Sequence, residues 1–337
     1  MPKKRFRVYR LYFNTPLHIG DIRPDDYGNS ESFIRSDTLL AAITAMLGQC
    51  GKIDQAFDGN FNFQISSLFP FTTIEDTVIY FFPKLSIPLP LKTKPGELIS
   101  FAKKLKKLQW LDFDYFEAQL NQREFEVFGD KDQKDLQGKF CSSKKLPDFI
   151  TPQIAQRVTI PRDRSNGEDP TPFYMERLFF QSGSGLFFLA EGKDFGLLED
   201  GLELLQYEGL GTDRTIGNGG FKFEKEDEEL ELEIPSSTYC TNLSLFCPED
   251  SAQLEKMLHE NATYDTIKRG GWITTEGAQT LRKKAVYMFT EGSIFSGDAS
   301  PKGRKVINLS PDAAFIEKKL PHSIYRCGHS IFLPVKL

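Results

Sequence analysis

Between Gly209 and Gly220, five glycines fall within twelve positions, with a single arginine, Arg214, in the gap between them. A helix-patterned run, "LLEDGLELLQYEGLG", enters this stretch and a strand-patterned run, "GGFKFE", leaves it. So sharp a junction depends on glycine, which takes φ > 0 with no Cβ penalty and lets other groups approach the backbone closely. Successive glycines can also aim neighbouring N–H groups into one concavity, which suits a phosphate. The familiar nucleotide loops do not fit. A P-loop needs Gly-Lys-Ser/Thr ahead of a helix, and no lysine lies between Gly209 and Gly220. A dinucleotide fingerprint follows a strand and opens a helix, the reverse of the order here.

The flanking patterns fill in the rest of the fold. "RFRVYRLYFN" (Arg5 to Asn14) alternates basic and apolar residues as a half-buried strand does, and a polar loop broken by Pro16, Gly20, Pro24 and Gly28 follows. "SDTLLAAITAMLGQ" predicts a helix with Ser36 as N-cap and one apolar face from Leu39 to Leu47. "VIYFFPKL" reads as a strand ended by Pro83, and "LISFAKKLKKLQWL" as an amphipathic helix with Lys103, Lys104, Lys106 and Lys107 outward. Two strand-like runs around Asn166-Gly167 predict a long hairpin carrying Arg157, Arg162 and Arg164. "GLFFLAEG" is a further strand. The acidic stretch "EKEDEELELE" (Glu224 to Glu233) reads as a solvated face, with a docking surface for a basic partner as the alternative.

Beyond it the pattern restarts with "TYCTNLSLF", helical "SAQLEKMLHE", "KKAVYMFTEGSIF" and a closing strand pair in "HSIYRCGHSIFLPVKL". Strand, helix, strands, helix, strand in each half predicts an α+β chain of two tandem ferredoxin-like (RRM-like, βαββαβ) domains. The expected division is 1–234 and 235–337. The first domain holds a helical insertion at about 86–150 and the hairpin at about 154–182.

Composition narrows the function. A chain of 337 residues has room for about two domains. Its net charge of −5 argues against a free-standing protein that coats nucleic acid, though a local basic strip would still bind RNA. The 30 phenylalanines suit a strand-rich core, with a few to spare for stacking under bases. Five scattered cysteines with no C-x-x-C pair imply a reducing compartment and no zinc site. No run approaches the ~18 apolar residues of a membrane helix, and "MPKKRFR" has no apolar segment behind it, so a cytoplasmic protein is expected.

A helix ending in Gly-Leu-Gly, a basic residue, then Gly-x-Gly and an aromatic strand resembles the glycine-rich loop of the RAMP superfamily, the RNA-binding proteins of CRISPR systems. "TPLHIG", "IRSDTLLAAI", "SSLFPF", "FFPKL", "VTIPRDRS", "LFFLAEG", "RGGWIT", "FTEGSIF" and "HSIYRCGHSIFLPV" stand in the order expected of one branch. That branch is the Csm-type subunit of type III-A CRISPR effector complexes that holds the crRNA 5′ handle. The resemblance implies two ferredoxin-like domains with a hairpin thumb. It also implies partners: the crRNA handle, the large polymerase/cyclase-like subunit, a backbone RAMP subunit and, indirectly, target RNA. Members bind guide RNA without being thought to cut it, and no cofactor or metal is implied. Thr212, Asp213 and Gly220 depart from the pattern, which shifts weight from the loop to basic side chains elsewhere.

The RNA-binding residues expected on these grounds begin with the loop: Gly209, Gly211, Gly217, Gly219 and Gly220, their N–H groups facing phosphates, and Arg214. His18 is read as a contact to a base or phosphate, or as a packing residue. Its alternative is the general base of a metal-independent endoribonuclease. Arg35 and Ser36 stand at a helix start suited to phosphate. Arg157, Arg162 and Arg164 lie on the thumb. Arg269, Gly270, Gly271 and Trp272 combine a cation, a flexible turn and an aromatic ring that either stacks on a base or fills the core. Arg282, Lys283 and Lys284 form a weaker patch. Asp21, Asp25 and Asp26 are read as an acidic surface loop, against the alternative of a metal-dependent RNase.

Overall fold

The computed structural model describes residues 2–20, 27–52, 61–92, 102–126, 135–160, 169–273, 281–297, 302–312, 320 and 322–337. The chain forms a mixed α/β fold with one large sheet and few helices among these residues. Its first half contains β1 (Lys3–Phe13), α1 (Ser36–Gln49), β2 (Phe63–Ile65), β3 (Phe69–Ile74) and β4 (Thr77–Pro83). An inserted segment adds β5 (Trp110–Asp112), α2 (Phe113–Asn121), β6 (Leu136–Gln137) and β7 (Phe140–Cys141). The hairpin β8 (Ile150–Thr159) and β9 (Thr171–Phe180) follows, then β10 (Ser184–Gly192), α3 (Gly196–Glu208), β11 (Phe221–Lys225) and β12 (Leu230–Glu233).

The large sheet runs β11-β1-β10-β3-β4-β5-β7-β6, and β1 is antiparallel to both its neighbours, β10 and β11. The strand expected to be half-buried is therefore central, and the period of two serves two cores instead of one. Tyr9, Leu11 and Phe13 face the layer of α1 and α3, where Leu39, Ile43, Leu202 and Leu205 are buried. Phe6 and Val8 face the opposite core with Phe69, Phe81, Phe82 and Phe187, closed by Phe116 of α2. Leu243, Ile294, Ile331 and Leu333 from the second half join that same core. Each fully buried Leu or Ile side chain contributes about 1.5–3 kcal/mol of transfer free energy, so the second half is held to the sheet by apolar burial. No phenylalanine is among the exposed large apolar residues of the described chain, so the exposed rings available for stacking are Tyr and Trp.

Several local expectations change. "QWLD" does not continue the lysine-rich helix, which covers 102–107. Trp110 and Leu111 instead pair with Pro83 and Phe82 in the sheet, where their apolar surface is buried. The acidic stretch becomes strand as well, because β11 and β12 both pair with β1. Glu231 accepts from Lys3 at 2.8 Å and Arg5 at 2.7 Å, so the basic residues of β1 neutralise part of that face. The hairpin forms as predicted, in register from Ile150↔Phe180 to Thr159↔Thr171. Its expected tip, with Arg162 and Arg164, lies outside the described residues, as do Asp21, Asp25 and Asp26.

The second half contains β13 (Tyr239–Asn242), α4 (Ser251–Met257), β14 (Thr266–Arg269), β15 (Val286–Phe289), β16 (Ile294–Ser296), β17 (Ile307–Asn308), β18 (Tyr325–Arg326) and β19 (Phe332–Pro334). β13 is the centre of a three-stranded sheet, β16-β13-β19, while β14–β15 and β17–β18 are separate ribbons. Asp250 caps α4 by accepting from the Gln253 N–H at 2.7 Å. Among the described residues α4 is the only helix of this half, where the sequence pattern predicts two. No helix of the described residues is long and apolar enough to cross a membrane.

Candidate nucleic-acid interface

α3 ends at Gly209, and the glycine loop folds back on the segment that follows β1. The Leu210 N–H donates to Gly219 O at 2.9 Å, Gly219 N–H to Pro16 O at 2.8 Å and Thr212 N–H to His18 O at 3.0 Å. The Gly220 N–H donates to Thr15 Oγ1 at 2.7 Å. The Gly209 N–H donates to Leu205 O at 2.8 Å and the Gly217 N–H to Arg214 O at 2.9 Å, so the amides of Gly209, Gly217, Gly219 and Gly220 are spent inside the protein and do not face phosphates as expected. Glycine density here serves the close approach of two chain segments. A Cβ on Gly219 would lie 2.8 Å from the Leu210 carbonyl carbon, and one on Gly211 3.3 Å from that of His18. Beyond them Arg214–Ile216 makes one 3₁₀ turn, which leaves Arg214 exposed with no ion-pair partner among the described residues. Asp213 instead pairs with Arg157 of β8 at 2.9 Å, tying the hairpin to the loop.

The loop forms one wall of a cavity of about 420 Å³. A second wall is α1, presenting Arg35, Thr38 and the small side chains of Ala41, Ala42 and Ala45. The third comes from the second half, with Ile267, Arg269, Lys283 and Arg326. Five cations, Arg35, Arg214, Arg269, Lys283 and Arg326, therefore line a cavity whose only lining acid among the described residues is Glu31.

Asp37 organises this charge. Fully buried at the start of α1, it accepts from Arg269 Nε at 2.9 Å and Nη2 at 3.0 Å and from Arg326 Nη1. Burial opposes its ionisation, but Arg326, Arg269 and Arg35 together outweigh that and hold the carboxyl well below the usual range. Arg35 pairs at 2.6 Å with Glu291, whose side chain is 4% exposed, and lies over the Phe33 ring, 4.7 Å from its centroid. Lys283 is pushed down to about 8, by burial first and then by Arg326 and Arg269, with Asp37 opposing.

The structure thus gathers Arg35, Gly209, Gly211, Arg214 and Arg269 at one cavity. Ser36 does not join them. Arg35 occupies the N-cap position without a side-chain cap bond, and the Ser36 hydroxyl, buried, accepts from the Leu245 N–H at 3.0 Å. His18 is 1% exposed, and its Nδ1–H donates to Glu176 O at 2.6 Å. Its ring packs at the hairpin base, 6.0 Å from that of Tyr27. Gly271 O accepts from the Lys283 N–H at 3.0 Å, and Gly270 O from Arg326 Nη2 at 3.4 Å, so this turn supports the cavity. Trp272 is 43% exposed, not core, and one ring face is covered by Arg282 at 4.3 Å. Arg326 and the role of Asp37 were missed, since no linear signal joins groups 289 positions apart.

Residues 236–335 match the family model of the CRISPR Csm4 C-terminal domain. Over 326 residues the chain is 28% identical to the CRISPR system Cms protein Csm4 of Thermococcus onnurineus, covering 90% of this chain and 92% of that one. The chain is thus similar to Csm4 proteins along most of its length. It is also 25% identical to the Csm4 protein of Streptococcus thermophilus, over 86% of this chain and 89% of the relative. Two solved structures share the fold. One is the Csm1–Csm4 cassette in complex with pppApA, with a TM-score of 0.61 and 20% identity, covering 100% of this chain and 99% of that one. The other is the Csm3–Csm4 subcomplex of the type III-A CRISPR-Cas interference complex, with a TM-score of 0.59 and 18% identity, covering 98% of this chain and 100% of that one.

Proposed function

We propose that this Csm4-like chain is a non-catalytic RNA-binding subunit of a cytoplasmic type III-A CRISPR interference complex in antiviral defence. It holds the crRNA 5′ handle and bridges the large polymerase/cyclase-like subunit to the backbone subunits. The observation that carries this reading is the cationic cavity where the glycine loop, the start of α1 and the second-half arginines meet. A net acidic chain that concentrates five cations on one concavity confines salt-sensitive binding to that place. The relatives crystallised with Csm1 and with Csm3 support the two protein partners.

The division at 1–234 and 235–337 belongs to the same reading. For the first unit the order β11-β1-β10-β3, with α1 and α3 on one face, supports a βαββαβ sheet. For the second the support is β13 at the centre of its sheet, followed by α4.

The glycine loop contributes Arg214 and its surface, and the thumb contributes Arg157, Arg162 and Arg164. Arg269 lines the far side, and Gly270, Gly271 and Trp272 behind it are read as further contacts. Fluorescence anisotropy with labelled guide RNA tests this. Arg214→Glu is expected to weaken binding about tenfold and lower the salt slope by about one. Unchanged affinity and slope, with RNA crosslinks remote from Arg214, would remove the cavity as the binding site. RNA cleavage lost specifically in His18→Ala would show an enzyme instead of a scaffold.

A further inference from the structure

The charges around Asp37 do not balance. Its carboxylate is taken up by Arg269 and Arg326, and Arg35 is matched by Glu291. Lys283 makes no ion pair among the described residues, although it lines the same cavity. The charged groups acting on it are Arg326 of β18, Arg269 of β14 and Asp37 of α1, and Arg35 ahead of α1, Glu31 and Arg214 of the glycine loop line the same cavity. Two donors here lack acceptors among the described residues. They are the buried Nε of Arg326, whose side chain is 10% exposed, and the buried Thr212 hydroxyl. A surplus cation on a cavity lined by four arginines, with two further donors unmatched in its wall, suits an anion with several acceptor oxygens. The walls of Ala41, Ala42, Ala45, Leu210 and Ile267 leave apolar room beside it, as a sugar or base would need.

We propose that Lys283, Arg326 and Arg269 form a subsite for one phosphate group of a bound RNA strand, and that Asp37 is its positioning residue. The subsite rests on the RNA-binding reading above and adds to it a specific contact. Asp37 aims the two guanidiniums and touches no RNA. Lys283 is the direct ligand.

The sign of the pH dependence follows. Phosphate binding favours the protonated amine, so the Lys283 contribution is nearly complete at about pH 7 and is lost as pH rises through about 8. At about pH 9 roughly a tenth of the free protein carries that proton.

The test measures affinity of the full-length chain for labelled guide RNA at about pH 7 and about pH 9, in wild type and variants. Wild type is expected to weaken about fivefold across that range. Lys283→Arg is expected to match wild type at the lower pH and to hold its affinity at the higher one. Lys283→Met is expected to bind about tenfold more weakly at the lower pH, with a flat profile. Asp37→Asn adds positive charge to the cavity, yet is expected to weaken binding because the arginines lose their aim. Tighter binding by Asp37→Asn would overturn the positioning role. A wild-type pH profile retained in Lys283→Arg would overturn the subsite even if Asp37→Asn failed to fold. Competition by inorganic phosphate as effective as that by unlabelled RNA would overturn the RNA backbone as the source. Wild type that binds no guide RNA at either pH would remove the RNA reading, and the subsite with it.

Discussion

Asp37→Asn is expected to destabilise the chain by about 3–5 kcal/mol at neutral pH, lowering Tm by roughly 4–7 °C. The carboxylate is fully buried, and the charges that compensate it come from β14 and β18 of the second half. Asn keeps the shape but offers one acceptor oxygen and no charge to two guanidiniums that are 16% and 10% exposed. Both then face Lys283 with nothing between to offset the repulsion. Because the folded-state carboxyl is held below its ordinary value, its contribution is present above the usual carboxylate range. That contribution is lost as pH falls through the folded-state value. The gap between wild type and variant should therefore be full at about pH 7 and shrink below about pH 4. Thermal melts across that range check it. Equal Tm values at neutral pH would mean that the arginines find other partners and that apolar burial alone joins the halves.

Gly219→Ala carries the second large effect. Gly219 adopts φ of +74°, and a methyl group there would meet the Leu210 backbone, with the nitrogen at 2.9 Å and the carbonyl carbon at 2.8 Å. Backbone cannot swing aside as a flexible side chain would. The pairing of Leu210 N–H with Gly219 O and of Gly219 N–H with Pro16 O would have to open. We expect a loss of about 3–5 kcal/mol, in the range of severe single-site effects, together with loss of guide-RNA binding. Gly217→Ala is the control. It too has positive φ, at +91°, but the space where its Cβ would stand is open, so the cost should be about 1–2 kcal/mol. Chemical denaturation of both variants separates the two costs. Similar losses at both positions would show that φ alone matters and that the close approach to Leu210 does not.

The glycine loop shows both the reach of the sequence and its limit. Five glycines between a helix and a strand correctly mark a crowded reversal, because φ and Cβ clearance are properties of a residue and its near neighbours. What crowds the reversal was misread. The approach is made by the chain at Pro16 and His18, about two hundred positions earlier, and not by a ligand at the loop amides. His18 illustrates the same limit. A rare histidine after the first strand has the chemistry of a base, but only the packed structure buries it against Glu176 of the hairpin.

Local periodicity by itself determined β1, α1, α3 and the β8–β9 hairpin. Alternation, apolar spacing and turn residues act over a few positions and are encoded where they act. The order of strands, the double burial of β1 and the cavity were decided only by tertiary structure. A charge such as Asp37 has no sequence signal for Arg326, 289 positions away, until burial removes water and leaves each the other's compensation.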